Sequence, residues 1–444
     1  MSSKAKFITG SIMRHVIVMS LTSSVGLIAL FIVDLLDFYF ISLLGESSLA
    51  AAVGYAGTLL FFITSVSIGL SIAMGALVSK NLGAGKHETA QEYGVYVLLF
   101  ILIVSVPLSM LMFIFAEFAM SLLGVSGDTL EMAKDYFRIV VLGAPLMSLA
   151  MGLSAILRSL GEAKNAMMVL LVASIVNGVL DPIFIFVLGW GLDGAAGATL
   201  ASRVAMILAA LYYIYKNRFF VGVTQVCQLQ HLGYLGPIIA IALPAIATNL
   251  ATPIGNAYVT RVIAEFGDSA VAGMSMIGRL SPVAFAVIFA LSGAIGPIIG
   301  QNLGAERCDR VRQTVRDSML FSTLYILGVS LFLLVLRNPI VDLFGLTGDG
   351  RDIGILFLTI LSWLFIFQAM VFISNAVFNN IGKAKQSTVV NVLKATVFTM
   401  PFVYFGAEYF GSLGVFYGQA LGSVFIGIIA LWWCIQSISK VDSK

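Results

Sequence analysis

Residues 30–51 read LFIVDLLDFYFISLLGESSLAA. Apolar residues dominate from Leu30 to Leu44, yet Asp34 and Asp37 interrupt them. A helix needs about 20 apolar residues to cross a bilayer, and the apolar character extends back to residue 15, so the stretch reads as the outer part of a first membrane span. A carboxylate inside such a span costs at least a few kcal/mol on insertion scales. Spaced i, i+3, the two acids share one helix face. The closing heptapeptide GESSLAA (45–51) returns in the second half of the chain as GDSAVAG (267–273), at an offset of 222.

That echo is one of three. KNLGA (80–84) returns as QNLGA (301–305), and GEAK (161–164) as GKAK (382–385), both at an offset of 221, half of a 444-residue chain. Between the echoes, twelve apolar stretches are long enough to span: 15–44, 50–80, 92–122, 136–158, 166–189, 195–215, 237–265, 272–300, 316–345, 354–380, 387–407 and 413–436. Six spans per half is an even number, so both halves enter the membrane the same way round. Such a parallel repeat has its axis along the membrane normal. The expected fold is an all-α polytopic membrane protein of two pseudo-symmetric six-helix lobes. The expected domains are an amino lobe over 1–216, a cytoplasmic linker over 217–236 and a carboxyl lobe over 237–444.

Composition agrees with a membrane solvent. The chain is 59% hydrophobic and 11% charged, against about 25% charged residues in soluble domains. The three cysteines, Cys227, Cys308 and Cys434, have neither metal-ligand nor disulfide-framework spacing. With the amino terminus inside, the cytoplasmic segments hold seventeen Lys and Arg, and the outer segments only Lys134, Arg138, Arg337 and Arg351. That asymmetry places both termini in the cytoplasm and the chain in the cytoplasmic (inner) membrane. The basic run CDRVRQTVR (308–316) falls between spans 8 and 9. It reads as a positive-inside anchor, and no nucleic-acid partner is expected.

A second polar cluster lies in NGVLDPIFIFVLGWGLDGAAGAT (177–199). Asn177 and Asp181 are i, i+4 and share a face of span 5. Pro182 removes a backbone donor and frees a carbonyl. Thr199 opens span 6 on the same outer side. Two aspartates, an amide and a hydroxyl make a set of hard oxygen ligands for a proton or a sodium ion, and the spacing does not choose between them. For Asp34 and Asp37 a structural hydrogen bond to a neighbouring helix is the alternative.

These two stretches, the NLGA segments and the repeat resemble the multidrug and toxic compound extrusion (MATE) transporter family over nearly the whole chain. The resemblance implies an antiporter that expels organic cations or other amphipathic compounds in exchange for protons or sodium, by alternating access of two lobes. In the family pattern the span-1 acid stands eight residues before the closing glycine, which selects Asp37 rather than Asp34. The family's amino-lobe cation site then falls on Asp37, Asn177, Asp181 and Thr199, with Asp34 as a possible auxiliary. Many members carry a proline early in span 1. Here Pro244 has Thr22 as its counterpart, so a span-1 bend would have to use Ser23, Ser24 or Gly26. Span 10 has no acid and Glu265 lies only at the end of span 7, which favours the branch with the amino-lobe site.

Other residues leave alternatives open. Lys394 in span 11 pairs with an acid, meets substrate or snorkels toward the cytoplasm. Gln368 and Asn375 line a substrate cleft or bridge helices. Gly296, Gly300 and Gly304 recur every fourth residue, a spacing that suits close helix packing. No cofactor is expected beyond the coupling ion. The partners expected are the lipid bilayer and small amphipathic or cationic substrates, with the protein a monomer. No nucleophile–base pair or HExxH occurs, so no enzyme is expected. A flippase for lipid-linked oligosaccharide precursors is the alternative transporter, and a channel the alternative from another class.

Overall fold

The structure, a computed structural model, describes residues 5–44, 47–220 and 232–442. Gly45, Cys227, His231 and the 221–231 part of the linker lie outside the described residues. All regular structure among the described residues is helical, as lipid requires of a chain that does not close a barrel. The helices make twelve crossings. The amino-terminal six are α1 (Ile12–Ser42), α2 (Ser47–Gly83), α3 (His87–Ile114, continued by Ala116–Leu122), α4 (Asp128–Leu142 with Ala144–Ser159, bent by 41°), α5 (Ala163–Pro182, extended by a wide turn Ile183–Val187) and α6 (Gly191–Lys216). The other six are α7 (Leu235–Ala264), α8 (Asp268–Ala284 with Ala286–Gly304), α9 (Cys308–Val335, continued by Arg337–Leu343), α10 (Gly348–Leu361 with Phe365–Asn380, bent by 64°), α11 (384–410) and α12 (412–442). The last two are separated at Gly411, whose φ of 61° and ψ of −145° no α-helix contains.

The repeat seen in the sequence is repeated in the elements. His87 and Cys308 open α3 and α9, and Phe115 and Leu336 interrupt them. Each pair shows the offset of 221 found in the echoes. Pro339 removes the donor that the Val335 carbonyl would use and marks the second break in the sequence, whereas the break at Phe115 has no such residue. α1 runs as one uninterrupted helix, with no break at Ser23, Ser24 or Gly26.

The chain divides into two compact units. One holds Thr22–Ala242, the other Lys6–Leu21 with Leu243–Lys444. The first turns of α1 thus group with the carboxyl half, and the first turns of α7 with the amino half, which the sequence reading did not foresee.

In the amino unit, buried Phe137, Met120, Ile41 and Ile185 pack with small residues such as Ala52, Ala56, Ala195 and Ala196. This core joins the outer end of α1 to α2, α4, the wide turn of α5 and the start of α6. Near the start of α3 Tyr234 donates to Glu92 and stacks on Tyr96, with ring centroids 4.7 Å apart.

In the carboxyl unit the QNLGA motif acquires a role. Gln301 Oε1 accepts from the Phe7 N–H at 2.8 Å, and Asn302 Nδ2 donates to the Phe7 carbonyl at 3.1 Å. Arg310 donates to the same carbonyl at 2.9 Å and to that of Gly10 at 3.1 Å, and Arg307 to that of Ile8 at 2.6 Å. Arg312 pairs with Asp442 at 2.8 Å. The basic run therefore holds chain termini.

Gly296 packs tightly, since an added Cβ would lie 3.3 Å from the Asn380 side chain. A closer approach, which the sequence reading did not single out, joins α11 and α12. A Cβ on Gly414, Gly418 or Gly422 would stand 1.8, 2.0 or 1.6 Å from the carbonyl oxygen of Gly406, Phe402 or Phe398 respectively. These pairs are equidistant from residue 410, so the two helices form an antiparallel hairpin with touching backbones.

Candidate functional site

Helical spacing stacks Asn177 beside Asp181 on α5. Asn177 Nδ2 donates to Asp181 Oδ2 at 2.9 Å and to Asp37 Oδ1 on α1 at 3.3 Å. The one Asn177 amide nitrogen thus brings the carboxyl groups of Asp37 and Asp181 side by side. Asp181 is fully buried, Asn177 is buried and Asp37 half-buried. Asp181 Oδ1 is buried with no hydrogen-bond partner. An orphaned polar atom in an apolar medium costs a few kcal/mol.

The backbone explains why the acid sits there. Pro182 has no N–H and its ring crowds the preceding turn. The helix continues as a wide turn in which the Leu188 N–H donates to the Ile183 carbonyl, five residues back, at 2.9 Å. Gly189 and Gly191, at φ of 68° and 54°, then reverse the chain. Gly194 lets α6 meet that turn, since a Cβ there would lie 2.7 Å from the Phe184 carbonyl. A Cβ on Gly197 would meet only the Phe184 ring, at 3.5 Å. Two motif glycines therefore have different tolerances. Gly194→Ala is expected to lower stability by about 1–3 kcal/mol, the usual overpacking cost, and to reduce transport with it. Gly197→Ala is expected to be silent. Thermal unfolding of the two variants checks the contrast, and equal melting would sink this account of the motif.

The remaining expected ligands separate. Thr199 lies two turns inside α6, because that helix starts at Gly191 rather than near residue 195. It is half-buried, its carbonyl accepts from Ser202 Oγ at 2.7 Å, and its hydroxyl bonds none of the three site residues. Asp34 is exposed and does not join the triad. It is in electrostatic reach of Arg203, and buried Tyr136 faces Arg203, Asp34, Asp37 and Asp181. Arg203 donates from Nη1 to the Val140 carbonyl at 2.5 Å, beside the bend at Gly143. Sequence reasoning missed Tyr136 and did not join Arg203 to Asp34. A basic residue in the same lobe as unmatched acids was the available signal.

In the carboxyl unit Lys394 donates to Gln368 Oε1, so its partner is an amide and not an acid. Buried Asn375 accepts from Asn391 Nδ2 at 3.0 Å, which is the helix-bridging alternative. Thr248, Ser387 and Thr388 extend this polar track, with Thr388 donating to the Pro244 carbonyl at 2.7 Å.

The MatE family profile matches twice, over residues 22–183 and 244–405. The chain belongs to the MatE family. The first match begins at Thr22, where the amino unit begins, and includes Asp37, Asn177 and Asp181. Thr199 falls beyond it. The second includes Gln368, Asn375 and Lys394. The chain is similar to the FAD transporter of Shewanella oneidensis, 28% identical over 99% of this chain and 98% of that one. It is similar to the multidrug export protein MepA of Staphylococcus aureus, 22% identical over 93% and 91%. A crystal structure of a mutant of the Vibrio cholerae MATE transporter VcmN superposes with a TM-score of 0.92, at 25% identity over 98% and 99%. MatE proteins are membrane transporters of small compounds, and so is this chain; it is not an enzyme.

Proposed function

We propose that this MatE transporter is an antiporter whose coupling ion, a proton or sodium, binds at Asp37, Asn177 and Asp181, and whose cargo is amphipathic, including organic cations. The orphaned, fully buried Asp181 Oδ1 beside a second carboxyl group carries this reading. The amino unit also holds Asp34, which has Arg203 in electrostatic reach, whereas Asp37 and Asp181 have no such basic partner among the described residues. Negative charge in a low-dielectric interior is expensive until it is matched, and an entering cation matches it. Asn177 orients both carboxyls, because its one amide nitrogen donates to each. Ion and cargo exchange requires that each weaken the binding of the other, and linkage makes that weakening reciprocal. Ion entry from outside followed by cargo release to outside gives export by alternating access. The orientation that this needs is the one set by Lys and Arg, with both termini in the cytoplasm and the protein in the cytoplasmic membrane. The names of the relatives supply two cargo classes, drugs and FAD.

The test is ethidium transport by the full chain in liposomes, under a proton gradient alone and then a sodium gradient alone. Saturable transport that follows at least one gradient is expected. Transport that is linear in ethidium and indifferent to both gradients would falsify the antiport reading in favour of a channel.

A further inference from the structure

The carboxyl unit does not repeat the acids of the amino-unit site. At the repeat offsets of 222 and 221, Val259 takes the place of Asp37 and Phe402 that of Asp181. Its α11, the repeat partner of α5, carries Lys394 instead. Lys394 lies ten residues beyond Ala384, or about 15 Å along the helix, near the middle of a hydrocarbon core of about 30 Å. Among the described residues it forms no ion pair. The Gln368 amide occupies one of three ammonium donors and offsets none of the charge. The side chain is half-buried, so a ligand reaches it. A cation held at mid-membrane without a counter-ion marks a site for a ligand that brings one.

The surroundings describe that ligand further. The Phe398 N–H donates to the Leu393 carbonyl at 2.9 Å, five residues back. Lys394 therefore sits in a wide turn, a local geometry enriched at functional sites. α5 also has a wide turn, at Ile183–Val187, two residues beyond Asp181, although at the offset of 221 Lys394 falls on Ala173 and the two turns are not equivalent positions. Just beyond Lys394, the rings of Phe398 and Phe402 lie 6.4 Å apart at 20°, and Phe425 of α12 lies 6.5 and 5.7 Å from them. None of the three is buried, and Phe425 is 47% exposed. The backbone contacts at Gly418 and Gly422 fix this aromatic wall.

We propose that Lys394 and Gln368, with Phe398, Phe402 and Phe425, form an anion-recognition site in the carboxyl unit, whose ligand is a planar aromatic compound bearing a phosphate or carboxylate. The ammonium and any free donor of the Gln368 amide take the anionic group, and the rings stack on the aromatic part. The site rests on the transporter reading above and adds one class of amphipathic cargo, anionic aromatic compounds, to the organic cations.

Flavin mononucleotide and riboflavin make a matched probe pair, one ring system with and without a phosphate. Their binding is measured by fluorescence quenching on the full-length protein in nanodiscs of zwitterionic lipid, with no gradient, so failure of ion coupling leaves the readout intact. Flavin mononucleotide is expected to bind at least about tenfold more tightly than riboflavin, the size of effect that a charge-assisted hydrogen bond gives. Lys394→Gln is expected to erase the preference, and Lys394→Arg and Asp181→Asn to keep it. Should Lys394→Gln not fold, Gln368→Glu supplies an internal counter-ion and is expected to erase the preference as well. Equal binding of the two flavins by the parent, or an undiminished preference in Lys394→Gln or Gln368→Glu, overturns the proposal. So does competitive loss of flavin mononucleotide on adding phosphatidylglycerol, which assigns the ammonium to lipid headgroups.

Discussion

Asp181→Asn and Asp37→Asn each bring gradient-driven ethidium transport down to the level of protein-free liposomes. The substitutions keep volume and shape, and an amide still pairs with Asn177 on either side. What they remove is the charge that a proton or sodium neutralises. Burying an ionised carboxylate costs several kcal/mol unless it is matched, so neither variant is expected to melt below the parent. Asp181→Asn, fully buried in the parent, is expected to gain stability while losing function, the trade-off common at binding sites. Asp34→Asn, outside the triad, is expected to retain most transport. If either triad variant exports ethidium as the parent does under the same gradient, the coupling ion binds elsewhere.

Gly418→Val and Gly422→Val are expected to cause the largest loss of stability. An added Cβ at these positions would lie 2.0 and 1.6 Å from backbone carbonyl oxygens of α11. Backbone does not rotate away as a side chain does, so the hairpin must open. Overpacking against side chains already costs about 1–3 kcal/mol, and these substitutions are expected to reach or exceed the top of that range. Gly293→Ala is the control. No atom lies within 4 Å of its added Cβ, and Ala in a helix interior gains about 0.5–1 kcal/mol over Gly. Melting curves in detergent read the difference. Parent-like melting of Gly418→Val would show that the two helices are not held by backbone contact.

Much of the fold was legible because lipid leaves few choices. Span count, six-span halves and the offset of 221 follow from apolar runs and three short echoes. The Asn177–Asp181 pairing follows from the helical period, whereas the choice of Asp37 over Asp34 came only from the resemblance to the family pattern. Thr199 did not follow, because α6 starts several residues earlier than its apolar run, and a shift in start rotates every later side chain about the helix axis. The partners of Lys394 and Arg203 come from other spans, which no spacing within one span reports. The close-packed glycines were sought at 296–304, where their period is evident. The closest contacts occur at 414–422, where the same period holds but only the neighbour's backbone distinguishes the two rows.

The hairpin at Gly411 has a consequence for how the protein is made. A lysine at a helix centre raises the insertion free energy by roughly 2.5–3.5 kcal/mol, so α11 is a reluctant entrant when it leaves the translocon alone. Its touching partner α12 follows directly in the chain. The two are expected to enter the bilayer as a pair, and a chain broken within 412–442 is expected to leave Lys394 in a helix without its packing partner.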